Sequence, residues 1–200
     1  MSLKPSLPSK PGLPTVAIIG AGPLGRWLAL SAARAGFRVL LEDVMPANLH
    51  HAREALRRQL GPDALGPVAG ASPSVAFVST IEDAVRSADL AIDCVPDELE
   101  SKLEILWLLD RMAPPRTVLA TPTMQLSIAD LASCTCRPEK CIAIAAEASS
   151  LAAGADTQIL LRTTAKTSHQ TIALVEDFWR RLGFIPTFAL DPADQPRRPR

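Results

Sequence analysis

The sequence predicts an α/β fold: a single domain built on a doubly wound, mainly parallel sheet covered by helices. Three observations carry this. Short apolar runs rich in β-branched residues alternate with helical patterns along the chain. A Gly-x-Gly-x-x-Gly turn, Gly20-Ala21-Gly22-Pro23-Leu24-Gly25, follows the first run and opens the first helix. The second run, Val39–Leu41, leads into the acids Glu42 and Asp43.

Taken in order, Val16–Ile19 reads as the first strand. Leu24–Ala35 is a helix with Leu24, Leu28 and Ala32 at helical spacing, stopped by Gly36. Val39–Leu41 is the second strand. Pro46 opens a helix through Leu60 with Arg53, Glu54, Arg57 and Arg58 on its outer side, and Gly61, Pro62, Gly66, Pro67 and Gly70 mark a loop. Ser74–Val78 is the third strand. Thr80 caps a short helix through Ser87, with Asp83 in the capping-box position. Leu90–Val95 is the fourth strand. Asp97–Met112 is a long helix whose apolar side carries Leu99, Leu103, Leu106 and Trp107, ended by Pro114-Pro115. Thr117–Ala120 and Cys141–Ala145 are strands separated by a short helix, Ser127–Ala132. Ala148–Asp156 is small, polar and weakly patterned. Gln158–Leu161, a helix Ser168–Leu182 and a last strand Ile185–Leu190 complete the pattern.

The first strand, the glycine turn, the helix, the second strand and its terminal acid fall in the order of a dinucleotide-binding βαβ unit. Gly20 permits the tight turn, Gly22 lets a pyrophosphate approach the backbone, and Gly25 lets helix and strand pack closely. Pro23 suits the first helical turn, whose N–H groups and dipole favour phosphate charge. Asp43, 18 residues after Gly25, is placed to accept hydrogen bonds from the adenosine ribose. Glu42 and Asp43 repel a 2′-phosphate and no Arg follows closely, so NAD is expected rather than NADP. The fold is therefore of the Rossmann type, and three segments are expected to meet the dinucleotide beyond the strand ends: Gly20–Gly25, Cys94–Lys102 and Thr121–Leu126.

Composition limits the alternatives. Lys+Arg and Asp+Glu both number 21, which argues against a polyanion binder, and with aromatics at 4% a base-stacking platform is not expected. Cys94, Cys134, Cys136 and Cys141 form no Cys-x-x-Cys pair and no zinc spacing, so no metal is expected and the thiols read as reduced, in a cytoplasmic protein. His50, His51 and His169 fall in polar helical stretches and read as surface residues. No apolar run reaches the ~18 residues of a membrane span. Residues 1–14 read as a flexible Pro-rich leader without the apolar segment of a signal peptide, 15–191 as the domain, and 192–200 as a disordered Pro/Arg-rich tail.

Several stretches together resemble the NAD-binding domain of the L-3-hydroxyacyl-CoA dehydrogenases, over about Thr15 to Asp191. They are VAIIGAGPLGRWLALSAARAGFRVLLEDV, STIEDAVRSADLAIDCVPDELESKLEIL and LATPTMQLSIADLASCTCRPEKCIAI, with a closing strand–helix–strand near Asp191. The resemblance implies an NAD-dependent oxidoreductase of fatty acid metabolism. It places Asp43 at the ribose, Asp97 where the family has a Glu near the nicotinamide half, and Lys102 where a family Lys contacts the cofactor.

The resemblance also breaks. The family carries a catalytic His in a Gly-x-His-Phe-Phe-Asn-Pro stretch after strand six; here Ala145 stands at that position, and alanine cannot act as a base. The family's Glu partner to that His matches Leu160. The substrate-binding Ser matches Met124, and the Asn before it matches Pro122. The family's helical C-terminal domain has no counterpart in this sequence. The expectation is a catalytically degenerate relative that binds NAD(H) as a sensor or partner subunit, possible self-association included. The alternative is an active oxidoreductase on a hydroxyacyl- or ketoacyl-CoA or a small hydroxy acid, using Glu147 or a partner's base. A third reading is a structural module whose glycine turn holds no ligand.

Overall fold

The computed structural model describes residues 14–65, 74–146 and 158–194. Glu147, the Ala148–Asp156 stretch, the leader as far as residue 13, the loop glycines Gly66 and Gly70 and residues 195–200 lie outside the described residues.

The elements are β1 (Thr15–Ile19), α1 (Pro23–Arg34), β2 (Arg38–Glu42), α2 (Pro46–Leu60), β3 (Ser74–Val78), α3 (Ile81–Val85), β4 (Leu90–Asp93), α4 (Leu99–Met112), β5 (Val118–Pro122), α5 (Ile128–Ala132), β6 (Cys141–Ala145), β7 (Gln158–Thr163), α6 (His169–Arg181) and β8 (Ile185–Leu190). Among the described residues the sheet has eight strands, in the order β3-β2-β1-β4-β5-β6-β7-β8. β1 to β6 are parallel, β7 runs antiparallel to β6, and β8 is parallel to β7. The order reverses between β1 and β4, and the crevice above that point is where an open α/β sheet takes a ligand.

The alternation of strand side chains sorts the core into two layers. Val16, Ile18, Val39 and Leu41 face α1 and α6, where Phe37, Phe178, Trp179 and Phe184 pack together. Ala17, Ile19, Leu40 and Ala91 face α3, α4 and α5. Local signals fix the helix ends. Pro occupies the first turn of α1 and α2. Gly36 and Gly61 close them with φ of 86° and 83°, a conformation that favours glycine. Thr80, Ser127 and Ser168 each accept the N–H three residues on, from Asp83, Asp130 and Thr171.

Two expectations are corrected. α4 begins at Leu99, leaving Asp97 in the preceding loop and Glu98 as the N-cap. Its buried line is Lys102, Ile105, Leu106 and Leu109, whereas Leu99 and Trp107 are 48% and 47% exposed. Leu106 is buried and Leu103 packs against the core as expected, but a lysine sits on the inward stripe where the apolar pattern would place Leu99 or Trp107. The second correction is at the C-terminal end. Pro192–Asp194, expected within a disordered tail, form a 3-10 turn in which the Asp194 carboxylate accepts the Ala165 N–H at 2.9 Å.

Candidate functional site

The glycine turn stands at the end of the central strand. Gly20 has a φ of 105°, and a Cβ there would lie 3.2 Å from the Cys94 carbonyl oxygen. At Gly25 a Cβ would lie 1.8 Å from the Gly20 carbonyl oxygen, so only glycine fits. Gly22 differs from both. Its φ is −65°, open to any residue, and a Cβ there would meet nothing within 4 Å. Neither packing nor backbone conformation requires glycine at this position, and the space in front of its backbone is open. No side chain caps α1 and its first turn holds no acid, which leaves helix-start N–H groups for an anion.

The three segments expected around a dinucleotide adjoin one another. Cys94 N–H donates to the Ile19 carbonyl at 2.7 Å, just below Gly20. Asp97 accepts the Met124 N–H at 3.1 Å, which ties the segment after β4 to the segment after β5. Asp43 lies beside the turn and accepts the Ala21 N–H at 2.8 Å. Arg26 braces the same loop by donating to the Ala21 carbonyl at 2.9 Å.

Lys102 is not where the sequence placed it. Its side chain is 1% exposed, and its ammonium lies 2.5 Å from a carboxylate oxygen of Asp93, itself fully buried at the end of β4. It is an interior residue beneath the site rather than a lining residue. Burial pushes the Asp93 carboxyl up, and the Lys102 charge opposes that rise. Sequence reasoning missed Asp93; the signal was an acid closing an apolar strand. It also missed Arg162, which is buried on β7 in register with Ala143 and donates to the Thr123 carbonyl at 2.7 Å. The Thr123–Met124 peptide is thus held at both ends, its carbonyl by Arg162 and its N–H by Asp97.

Ala145 and Leu160 are register partners across β6 and β7. Both positions that the resemblance assigns to ionisable side chains are therefore adjacent and aliphatic. Burial pushes the Cys94 thiol well up and the Cys141 thiol to about 11, which makes neither a ready nucleophile. The three histidines are exposed. No group of three potential metal ligands occurs among the described residues, and no described helix is long and apolar enough to cross a membrane. A groove of about 490 Å³ between α2 and the end of β3 contains none of the glycine-turn residues.

Glu42 closes β2 beside Asp43. Burial, then the Asp43 charge, pushes its carboxyl up to about 7. The folded chain therefore holds this proton more tightly than the unfolded chain. The contribution of Glu42 to stability falls as pH rises from about 4.5 to about 7 and is constant above that window. Glu42→Gln removes this titration. We expect it to stabilise the protein by up to about 3 kcal/mol near pH ~8, with the gain gone near pH ~4.5, as urea unfolding at the two pH values will show.

Comparison with known proteins agrees with this geometry. The family described as 3-hydroxyacyl-CoA dehydrogenase, NAD binding domain, matches residues 15–191. The chain belongs to this family. A 5-formyl-3-hydroxy-2-methylpyridine 4-carboxylate 5-dehydrogenase of Mesorhizobium japonicum is 33% identical over 175 residues, 86% of this chain and 55% of that protein. A probable 3-hydroxybutyryl-CoA dehydrogenase of Bacillus subtilis is 33% identical over 133 residues, 64% of this chain and 46% of that protein. A crystal structure of a 5-dehydrogenase with the same pyridine carboxylate substrate, called an NAD+ dependent dismutase, superposes with a TM-score of 0.74 at 31% identity. It covers 90% of this chain and 58% of the other. The chain thus spans about half the length of these relatives. As a member of the family it carries an NAD-binding hydroxyacyl-CoA dehydrogenase-like domain, with NAD as its cofactor.

Proposed function

We propose that the chain is a catalytically degenerate member of its family, which holds NAD(H) as a sensor or as the partner subunit of another protein. The observation that carries this is the aliphatic pair Ala145 and Leu160, side by side where the family resemblance calls for a His and its Glu. Hydride transfer from a hydroxyl needs a group that takes the hydroxyl proton, and neither side chain can. The cofactor would rest with its pyrophosphate over Gly20–Gly25, Gly22 closest, and its ribose on Asp43. Ala21, Pro23 and Leu24 complete the turn. Val44 and Met45, exposed beside Asp43, offer apolar surface to the adenine. Asp97 serves the nicotinamide half by holding the Thr123–Met124 peptide, and Lys102 acts through Asp93. The proposal includes a cytoplasmic location, which four unpaired cysteines favour. It also includes association with a second copy or a partner through the exposed Met124, Leu160 and Ile185.

Thermal unfolding with NADH, NADPH, acetoacetyl-CoA or no addition tests the reading. NADH at 100 times its dissociation constant is expected to stabilise the protein by about 2.7 kcal/mol, with no shift from the CoA ester. Shifts from both would favour the second reading.

That second reading is an active oxidoreductase on a hydroxyacyl- or ketoacyl-CoA or a small hydroxy acid, with Glu147 or a partner's residue as base. Similarity over most of the chain to a dehydrogenase of a pyridine carboxylate favours it, as does the buried Arg162 cation close to Thr123. Glu147→Gln would then abolish turnover and leave NADH affinity unchanged; unaltered turnover removes Glu147 from the account.

A further inference from the structure

A carboxylate has about four acceptor positions, and three donor groups already converge on Asp43. Oδ2 accepts the Ala21 N–H and Oδ1 the Met45 N–H, each at 2.8 Å. The Asn48 amide nitrogen donates to both oxygens at 3.1 Å. The first two donors are backbone groups fixed by the glycine turn and by the start of α2. The other two contacts come from one exposed side chain on the first turn of α2, whose own N–H bonds to the Met45 carbonyl at 3.0 Å. A ribose diol that reaches Asp43 needs the positions that Asn48 fills.

We propose that Asn48 sets the affinity for the adenosine ribose: it occupies the hydroxyl positions on Asp43 and leaves them when NAD binds. The proposal rests on the reading of Asp43 as the ribose acceptor. Asn48 shields the carboxylate in the free protein, and each binding event gives up its contacts in exchange for those of the ribose. Being exposed, it returns to water at small cost, so the exchange is incomplete competition rather than a block. The Ala21 and Met45 bonds persist through the exchange and keep the carboxylate oriented.

Asn48→Ala is the test. Its site is exposed and helical, so the variant keeps its fold. With one net hydrogen bond no longer surrendered, NADH should bind about three- to tenfold more tightly, as measured by fluorescence titration. The gain should appear with ADP and be absent with 2′,3′-dideoxy-ADP, which lacks the hydroxyls. Equal or weaker NADH binding by Asn48→Ala overturns the proposal and makes Asn48 a support for Asp43. A gain that persists with the dideoxy nucleotide overturns it too, since the competition would not be for the diol. If unaltered protein binds no NADH, the ribose reading of Asp43 falls first and takes this proposal with it.

Discussion

Lys102→Met is expected to cost about 3–5 kcal/mol, because it leaves the fully buried Asp93 carboxylate without its cation. The loss is a large part of the stability of an ordinary domain, typically about 5–15 kcal/mol. At this chain length it corresponds to a fall in Tm of about 6–20 °C. Burial already pushes the Asp93 carboxyl up, so without Lys102 it takes up a proton and limits the damage. The variant should therefore regain stability at acid pH relative to the unaltered protein. Replacing both partners, Asp93→Leu with Lys102→Met, should recover most of the loss, since a buried pair and its apolar substitute are often close in free energy. Chemical unfolding of both single variants and the double variant gives the coupling between them. If Lys102→Met cost less than about 1 kcal/mol, the buried pair would not be what joins α4 to the end of β4.

Gly22→Ala and Gly25→Ala should separate binding from folding. At Gly25 the new methyl would overlap the Gly20 carbonyl oxygen, and backbone cannot yield as a side chain can. That variant is expected to lose several kcal/mol, in the range of severe core overpacking, and its cofactor turn with it. At Gly22 the methyl meets open space and the backbone φ suits alanine. Stability without ligand should then change by less than about 1 kcal/mol, the scale of an N-cap exchange. NADH affinity should fall at least ~100-fold, since the methyl stands where a pyrophosphate approaches. Unchanged NADH binding by Gly22→Ala would mean that the dinucleotide does not cross this turn.

The sheet and its helices were legible because each element follows a local rule. After Thr15, β1 is an apolar run buried on both faces, α3 starts at a Thr with Asp three residues on, and α1 is followed by a glycine with positive φ. The position of Asp43 beside the glycine turn was legible because the motif brings its own context. The buried lysine of α4 was not. A lysine on the buried stripe makes sense only once Asp93 is known to lie opposite, and that pairing spans a strand end and a helix. Arg162 was hidden in the same way, as a charge within a strand whose partner is a backbone carbonyl 39 residues earlier. The reach of Asn48 to Asp43 depends on a helix start bending back over a strand end, a geometry that no periodicity records. The facing of Ala145 and Leu160 needed the antiparallel register of β6 and β7.

The most direct test of a cofactor-holding protein without its family's base is a single-turnover experiment. Protein saturated with NADH is mixed with excess acetoacetyl-CoA, and the nicotinamide absorbance and bound-NADH fluorescence are followed together. NADH should stay bound and reduced, with oxidation no faster than in buffer. Oxidation that requires the protein and disappears in Gly22→Ala would contradict this expectation, and would show that a proton donor elsewhere than position 145 completes the site.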